Sequence, residues 1–325
     1  MVLYQQSSAF KLYQATFFFA SLPGKNRSMN RNYNSLLILV LAISLLMASC
    51  RKPPGSSDEK IDFSDCLISG TANTFDIVTF NIQEYPRYGD ETVEVVAELI
   101  KQMNVDIVAL QEISSESEFD RLVERLIGWE GEYYPVDNSF WNLAYLYKAS
   151  ETIINEAESK VLFRDDYWSF PRPPFEIHVT HIPTGIEAIL INNHFKCCGG
   201  TDNEDRRRSA TDSLHKYIST TYPDEAVIVL GDLNDEINGT SLETNVFWTM
   251  VNDPDNFRFT DMSIARGSAS WWSYPSWPSH IDHICVSNEL YMNIDTTIVN
   301  RPDRCYTDYS ELISDHRPVC LRLKK

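Results

Sequence analysis

The sequence predicts an α/β fold in which β-sheets form layers and helices cover their outer faces. Short apolar runs of strand length alternate along the chain with segments whose apolar residues recur at helical spacing. Many strands with few helices between them are typical of layered sheets with helices outside. The composition agrees with a packed globular domain, because 43% of the 325 residues are hydrophobic and 23% are charged.

The individual elements follow from these two periodicities. Residues 75–80 (FDIVTF) form the first strand-like run, and residues 92–103 then carry apolar side chains at helical spacing. The other predicted strands are residues 105–110, 143–147, 175–180, 186–192, 226–230, 281–286 and 318–323. The other predicted helices are residues 119–127 and 206–220. We find no internal repeat and no low-complexity tract.

The first 49 residues read as a targeting segment. Basic residues precede an almost unbroken apolar run at residues 36–48, which is shorter than the ~20 residues that a membrane span needs. A run of this kind is typical of the apolar region of a signal peptide. We therefore assign residues 1–49 to a signal peptide, with Met29 as an alternative start close to the basic residues.

The pair Ala48-Ser49 before Cys50 resembles a bacterial lipoprotein box, in which the cysteine is lipidated and becomes the mature N-terminus. The alternative is an ordinary signal peptide with a chance cysteine, since Met47 departs from the commonest pattern. The resemblance implies an exported protein that is lipid-anchored to a bacterial membrane, at the outer membrane or the cell surface. Residues 50–73 would then form the lipidated cysteine and a flexible tether, with the folded domain at 74–325.

Six cysteines follow Cys50, and an exported protein can keep disulfides. Cys285 and Cys320 lie inside apolar strand-like runs, which predicts buried thiols. Cys197 and Cys198 lie in a glycine-rich loop and suit a bridge better. No C-x-x-C spacing supports a metal or redox site at this pair.

The charge of the chain argues against tight, non-specific DNA binding. Removing residues 1–49, which hold four basic residues and no acid, takes the formal net charge from −18 to −22. Such a surface repels polyanions at long range, whereas a DNA binder needs a basic footprint. A nuclease stays possible, because bound divalent cations reverse the local field.

Polar residues recur at one end of the predicted strands. An acid in such a position is more often a turn or helix-cap residue than a ligand, so the prediction depends on the whole ordered set. The set comprises Asn81, Glu112, His194, Asp232, Asn234, Asp282, Asp315 and His316. Ligands of α/β proteins bind where strand ends meet at a sheet edge, and oxygen donors gathered there suit Mg²⁺.

These residues lie in six short motifs: TFNIQ (79–83), LQEI (110–113), NNHFK (192–196), GDLND (231–235), IDHI (281–284) and SDHRPV (314–319). Their succession resembles the endonuclease/exonuclease/phosphatase superfamily, and GDLND and SDHRPV are the most specific pieces. The superfamily includes pancreatic-type deoxyribonucleases, abasic-site endonucleases, neutral sphingomyelinases and inositol polyphosphate 5-phosphatases. The resemblance implies a four-layered α/β sandwich, with two packed mixed β-sheets flanked by helices.

The resemblance also implies a role for each motif residue. The metal ligands would be Glu112, with Asn81 beside it, and Asp315, for Mg²⁺ or alternatively Mn²⁺. His316, held by Asp282, would act on the phosphate. The remaining catalytic residues would be Asp232 for the attacking water, Asn234 for a phosphate oxygen, and His194 for the phosphate or the leaving group.

Two departures distinguish the chain from named branches of the superfamily. Abasic-site endonucleases have a tyrosine where this chain has His194. Pancreatic-type enzymes pair the matching histidine with a glutamate, and Trp141 or Asn142 falls at that position here. The sequence therefore predicts that His194 lacks this carboxylate partner.

An aromatic loop, residues 270–278 (SWWSYPSWP), precedes the IDHI motif. Its Trp271, Trp272 and Trp277 are candidates for a substrate wall, with loop packing as the alternative. Arg206, the first of three consecutive arginines, is a candidate phosphate contact, with a solvated helix face as the alternative. The neighbouring His280 and His283 are predicted to be structural.

The sequence thus predicts a Mg²⁺-dependent hydrolase of phosphate mono- or diesters, with small or lipid-linked substrates favoured, acting as an exported, monomeric lipoprotein. Its partners would be the substrate and, through the anchor, a membrane, with nucleic acid less favoured. One alternative is an extracellular endonuclease or exonuclease. A second is a non-catalytic surface-binding lipoprotein, which is less favoured because every motif residue is present.

Overall fold

Two β-sheets organise the computed structural model of the chain, which describes residues 61–68, 70–135 and 141–325. The strands are β1 (Thr74–Tyr85), β2 (Ile107–Ile113), β3 (Trp129–Tyr134), β4 (Asn142–Lys148), β5 (Thr152–Ile154), β6 (Lys160–Val161), β7 (Phe175–His181), β8 (Ile186–His194), β9 (Val227–Asp232), β10 (Phe257–Phe259), β11 (Asp282–Ser287), β12 (Ile294–Val299) and β13 (Val319–Lys324). The α-helices are α1 (Asp90–Met103), α2 (Glu116–Arg125), α3 (Thr201–Thr221), α4 (Trp248–Val251), α5 (Met262–Ala265) and α6 (Tyr309–Leu312).

Both sheets are mixed, with one parallel pair at the centre of each. The first sheet has the order β12-β13-β1-β2-β4-β3, and only β1 and β2 are parallel. The second has the order β10-β11-β9-β8-β7-β5, with β6 also on β7, and only β8 and β9 are parallel. Parallel neighbours end at the same edge of a sheet, so β1, β2, β8 and β9 can present side chains together.

The alternation of side chains along β1 shows how the layers pack. Phe75 and Ile77 join the core between the two sheets, together with Ile228 of β9. Val78 and Phe80 point to the other face and pack with the apolar face of α1. The outer face of the second sheet packs in the same way against α3. The result is the predicted four-layered sandwich with flanking helices, and this prediction is confirmed.

The ends of the helices follow from local sequence. Gly89, at φ +62°, precedes α1, and Asn104 ends it in the left-handed conformation. Ser115 caps α2 by accepting a hydrogen bond from the Glu118 N–H at 3.3 Å. The helix α3 is the longest described helix, and no helix in the described ranges is long and apolar enough to cross a membrane.

Every strand and helix predicted from periodicity is present, with shifted boundaries. The sequence missed β3, β5, β6, β10 and β12, together with the short helices. The strands β3 and β12 form the two edges of the first sheet and are mostly only half-buried. An edge strand buried this little has no need of a strongly apolar face, so its periodicity signal is weak.

The segment before β1 differs from the flexible tether predicted to reach residue 73. Phe63 is completely buried, and its N–H donates to Gln102 Oε1 at 2.7 Å. A disulfide joins Cys66 to Cys305, 239 positions further along the chain. Residues 61–68 therefore belong to the folded unit. The predicted signal peptide, Met29 and Cys50 lie outside the described residues.

The cysteines divide differently from the prediction. Cys285 and Cys320 are buried free thiols, as predicted. The expected bridge at Cys197 and Cys198 is absent, because both are free thiols with their Sγ atoms 2.8 Å apart. The bridge uses Cys66 instead, which ends the short 3₁₀ turn Ser64–Cys66, and its partner Cys305 directly follows the turn Pro302–Arg304.

Candidate active site

The polar residues singled out from the sequence meet at one edge of the sandwich. Asn81 on β1 and Glu112 on β2 come from the parallel pair of the first sheet. His194 and Asp232 end β8 and β9, the parallel pair of the second sheet, and lie opposite each other. The strand β11 runs antiparallel to β9, which places Asp282 opposite Asp232. Each sheet therefore contributes half of the site.

Gly231 allows Asp232 to approach His194. Its φ is +146°, a conformation that side chains rarely adopt. A Cβ at this position would lie 2.0 Å from the carbonyl oxygen of Asn193 on β8. The glycine of the GDLND motif is thus required for the close pairing that brings Asp232 to the site.

Asn81 connects the two halves of the site. Its Nδ2 donates to Glu112 Oε1 at 3.1 Å and to Asp232 Oδ2 at 3.0 Å. Its Oδ1 accepts a hydrogen bond from the Gln83 N–H at 2.9 Å. Asn81 therefore lies beside Glu112, where the sequence placed it, and its amide nitrogen holds the carboxylates of Glu112 and Asp232.

Glu112 and Asp315 are the other two predicted metal ligands, and both line the cleft. Glu112 has a left-handed φ of +65°, and its Oε2 accepts a hydrogen bond from the Glu84 N–H at 3.0 Å. The Asp315 N–H donates to Gln83 Oε1 at 3.1 Å. A left-handed non-glycine residue costs about 1–3 kcal/mol and is retained where the surroundings fix it, often at functional sites.

His316 is buried and held in one orientation. Its Nδ1 donates to Asp282 Oδ2 at 2.8 Å, and the ring of Tyr274 lies 4.9 Å from its own. Burial opposes the charged form, but the carboxylates of Asp282 and Asp232 outweigh burial and raise the pKa of His316 to about 10. His316 is therefore an imidazolium whose Nε2 lies 3.9 Å from Asp232 Oδ2.

Asp232 lies at the centre of the cluster. Its Oδ1 accepts a hydrogen bond from the Asn234 N–H at 3.1 Å, while its Oδ2 faces His194 Nε2 at 3.6 Å. Burial raises the pKa of Asp232 to about 7, although the charge of His316 opposes this shift. A cation bound beside Asp232 would favour its ionised form.

His194 differs from His316 in charge and in partners. Burial, and then the charges of Arg172 and His316, lower the pKa of His194 well below its usual value, so the ring is neutral. Its Nε2 lies 3.7 Å from Glu112 Oε1, whereas its buried Nδ1 has no hydrogen-bond partner among the described residues. Asn142, at the position considered for a partner, donates to the Ile113 carbonyl at 2.7 Å.

The cluster opens into a cleft of about 940 Å³. One part of its lining is formed by Glu112, His194, Asp232, Asp315 and His316, with Asn234 and Tyr274. The first five, together with Asn81 and Asp282, which do not line the cleft, are here called the catalytic cluster. A second group of lining residues, here called the basic rim, comprises Trp141, Arg164, Tyr167, Lys196 and Arg206. Sequence analysis proposed only Arg206 of these five as a substrate contact. Lys196 lies in the NNHFK motif without an assigned role, and Arg164 and Tyr167 belong to no motif.

The aromatic loop contributes less to the cleft than predicted. Tyr274 lines it, but Trp271, Trp272 and Trp277 do not. The guanidinium of Arg301 stacks 3.4 Å from the Trp271 ring, and Trp272 Nε1 donates to the Ile264 carbonyl at 3.1 Å. Two of these tryptophans therefore pack locally, and the structure does not place any of the three in the lining of this cleft.

The three consecutive arginines have different surroundings. Arg206 borders the cleft and donates through Nε to the Trp168 carbonyl. Arg207 is buried and pairs with Asp235 at 2.8 Å, while Arg208 donates to the Leu242 carbonyl at 2.6 Å. Arg207 and Arg208 therefore bind acceptor groups of the protein itself. These contacts explain why cations can lie near the start of α3 without a bound anion.

A second buried cluster supports the GDLND loop. Asp261 contacts both His280 and His283, at 2.9 and 2.6 Å. His283 Nε2 donates to the Asp235 carbonyl at 2.8 Å. These contacts agree with the structural role predicted for the two histidines. Sequence analysis missed Asp261, because the residue lies in no recognisable motif.

The donor set of the catalytic cluster fits a hard divalent cation. Glu112, Asp232 and Asp315 offer carboxylate oxygens, and a buried oxygen of Asp282 has no hydrogen-bond partner among the described residues. Oxygen donors suit Mg²⁺ or Mn²⁺, whereas structural zinc prefers cysteine and histidine. The residues present therefore fit the metal that the sequence implied.

Fold and site together define a class, the metal-dependent phosphoesterases built on two packed sheets. The sequence model of the endonuclease/exonuclease/phosphatase family matches residues 78–316, and the chain belongs to that family. It is accordingly a metal-dependent hydrolase of phosphate esters.

Solved structures share the fold at low sequence identity. A Danio rerio TDP2 in complex with a single-strand DNA product aligns with a TM-score of 0.61 and 13% identity, over 78% of this chain and 99% of that chain. A Bacteroides thetaiotaomicron mannosyl-6-phosphatase aligns with a TM-score of 0.58 and 18% identity, over 77% and 100%. The human Nocturnin catalytic domain with bound sulfate aligns with a TM-score of 0.56 and 16% identity, over 77% of this chain and 93% of that chain. No curated protein matches the sequence.

Proposed function

We propose that the protein is an exported, Mg²⁺-dependent hydrolase that prefers small or lipid-linked phosphate mono- or diesters. The observation that carries this proposal is that the catalytic cluster lines a cleft of about 940 Å³. Small-molecule sites typically enclose roughly 300–1,000 Å³. The net charge of −18 further disfavours a long polyanion.

Glu112 and Asp315 would hold the metal, with Asp232 close by and Asn81 aligning the carboxylates. When bound, the ion neutralises charge on the phosphoryl oxygens and on the leaving group. The acidic cluster itself would repel a phosphate, so binding of a cation and binding of the substrate are expected to be coupled.

The protein residues supply hydrogen bonds and proton transfer. The imidazolium of His316 donates through Nε2 to a phosphate oxygen, and Asp282 keeps its ring in place. Asp232 orients the attacking water and accepts its proton. The Nε2 of the neutral His194 lies 3.7 Å from Glu112 Oε1 and 3.6 Å from Asp232 Oδ2, so as a donor it would reach a phosphate oxygen bound beside these carboxylates.

A nuclease is the second candidate, because the basic rim offers cations to a nucleic-acid strand. A hydrolase of small esters and a nuclease are distinguished by one panel of assays. The panel contains p-nitrophenyl phosphate, bis-p-nitrophenyl phosphate, sphingomyelin and supercoiled plasmid DNA, each with Mg²⁺ and with EDTA. We expect a higher kcat/KM for at least one ester than for DNA, because duplex binding needs several phosphate contacts. If the plasmid is nicked efficiently and kcat/KM for every ester is at least about a hundredfold lower than for DNA, the protein is a nuclease instead.

Export and anchoring are proposed on the sequence before the folded unit. The basic residues, the apolar run at 36–48 and the small pair before Cys50 support lipidation. We expect Cys50→Ala to move the protein from the membrane fraction to the soluble fraction and to abolish labelling by a fatty-acid analogue. Cys198→Ala, which removes an exposed thiol of the folded unit, is the control that stays anchored. Unchanged fractionation and labelling of the Cys50→Ala protein would contradict the proposal.

A further inference from the structure

A group of titratable side chains lies at the opposite edge of the sheets from the catalytic cluster. Asp106 directly precedes β2, and Glu112 lies near the other end of that strand. His181 ends β7, and Glu151 lies in the turn between β4 and β5. At about 3.3 Å per residue, the strand separates Asp106 from Glu112 by roughly 20 Å. The group is therefore distinct from the metal site proposed for catalysis.

His181 is completely buried, and one of its ring nitrogens has no partner. Its Nδ1 lies 2.9 Å from Thr184 Oγ1, which also accepts a hydrogen bond from the Ile186 N–H at 3.3 Å. Its buried Nε2 has no hydrogen-bond partner among the described residues. When Nδ1–H donates to Thr184, Nε2 carries a lone pair, and metal-ligating histidines are commonly oriented by such a contact of the other nitrogen.

The unpartnered nitrogen faces two carboxylates at the spacing of metal ligands. His181 Nε2 lies 3.5 Å from Asp106 Oδ2, beyond the range of about 2.7–3.2 Å that is usual for an N–H···O bond. Two ligands that are each about 2.0–2.2 Å from one tetrahedral zinc ion lie roughly 3.3–3.6 Å apart. Glu151 completes the group, since one ligand atom of each of the three residues lies within 4.8 Å of the others. Its side chain is 29% exposed, which gives an ion a path from solvent.

The charges of the group favour a bound cation. Lys148 Nζ lies 3.4 Å from Asp106 Oδ1 and 3.7 Å from Glu151 Oε1, so one lysine accompanies two carboxylates. It approaches Asp106 at the oxygen that does not face His181. Burial raises the pKa of Asp106 to about 7 in spite of Lys148, and burial lowers the pKa of His181 below its usual value. A neutral imidazole can bind a metal, and a cation would offset the cost of burying the carboxylate.

We propose that Asp106, Glu151 and His181 bind a divalent transition-metal ion of the zinc class. An imidazole with two carboxylates suits zinc, whereas Mg²⁺ prefers oxygen ligands. Asp106 adjoins the first sheet and His181 belongs to the second, so the ion would join the two sheets. Its role is to stabilise the folded chain, because a site assembled from separate strands binds the ion only after folding. The inference is independent of the substrate and of the catalytic metal.

The test counts the zinc ions bound to the metal-free full chain by equilibrium dialysis. Cys197 and Cys198 are both replaced by serine in the parent protein, so that these neighbouring thiols do not bind zinc. We expect Glu151→Gln to raise the Kd of one zinc ion by at least about 100-fold, since even an indirect partner of a ligand contributes about 10–100-fold. Zinc should also raise the Tm of the parent more than that of Glu151→Gln.

Asp253→Asn is the matched control, and it should bind as many zinc ions as the parent. Asp253 also contacts a histidine, His215 at 2.9 Å, and its side chain is 28% exposed, close to the 29% of Glu151. Glu112→Gln should retain the ion that Glu151→Gln loses, which separates this site from the catalytic cluster.

Equal zinc binding and equal gains in Tm for the parent and Glu151→Gln would overturn the inference. Anomalous diffraction at the zinc edge, from crystals of the parent grown with ZnCl₂, provides the test if the variant does not fold. A peak between His181 Nε2 and Asp106 Oδ2 is the expected result. Zinc bound only at the catalytic cluster or at surface residues would count against the site.

Discussion

His316→Ala is expected to lower kcat by a factor of ~10²–10⁴ without unfolding the domain, the usual cost of losing a positioned acid–base group. In the wild-type protein the ring is charged, and its Nδ1 is fixed by Asp282 at 2.8 Å. The substitution removes the imidazolium that faces Asp232 and leaves two buried carboxylates without their cation. KM should change less than kcat, because the donor matters most as charge develops on the phosphate.

The measurement is steady-state turnover of the best ester from the panel at saturating Mg²⁺, with circular dichroism to verify folding. His215→Ala is the matched control, since His215 also pairs with an aspartate, Asp253 at 2.9 Å, but does not line the cleft. The control should keep wild-type kcat. Asp282→Asn should lose activity in the same direction as His316→Ala, because it weakens the fixed orientation. If His316→Ala retains more than about a tenth of wild-type kcat, the assignment of the centre is wrong.

The sequence was sufficient to predict the site where side chains are tied to strand ends. Glu112, His194 and Asp232 each follow or close an apolar run, and parallel pairing brings such ends to one edge. Asp282 begins β11 and Asp315 precedes β13, and both strands run antiparallel to their neighbours β9 and β1, so their motifs lie at strand starts and still reach the same edge. The position of each motif at a strand end thus predicted which residues meet in the site.

Contacts that depend on loop paths could not be predicted in this way. The tryptophans of the loop before β11 were assigned to the cleft because of their type, whereas Trp271 stacks with Arg301. The basic rim was mostly missed for the opposite reason, since Arg164 and Trp141 belong to no motif. The type of a loop residue does not determine which way its side chain points, because a loop lacks the fixed alternation of side chains between the two faces of a strand.

Asn81 shows a third limit of the sequence. Its position at the site followed from the motif, but its role depends on which end of the amide faces the carboxylates. In the structure the donor end faces Glu112 and Asp232, and the Gln83 N–H satisfies the acceptor end. The same backbone position can thus serve as ligand or as connector, and the hydrogen-bond network decides between them.

Removal of divalent metal is expected to abolish turnover. Glu112, Asp232 and Asp315 converge on one cleft, and their mutual repulsion disfavours the empty, fully ionised cluster. Exhaustive dialysis against EDTA should reduce hydrolysis to background, and Mg²⁺ or Mn²⁺ should restore it. Mg²⁺ should also raise the Tm, because an ion that binds only the folded state stabilises it. Full activity after EDTA dialysis would refute a metal-dependent mechanism.

Glu112→Gln tests which carboxylate holds the ion. Loss of a mere hydrogen-bond partner of a metal ligand typically costs about 10–100-fold in affinity, so loss of the ligand's charge should cost at least about 100-fold. We expect the Mg²⁺ concentration for half-maximal activity to rise by that factor and the Mg²⁺-dependent gain in Tm to disappear. Glu187→Gln is the control, because Glu187 lies exposed on β8, the strand that ends in His194, away from the cleft. A Glu112→Gln variant with the metal dependence of this control would place the ion elsewhere in the cluster, closer to Asp282, whose buried Oδ1 lacks a hydrogen-bond partner among the described residues.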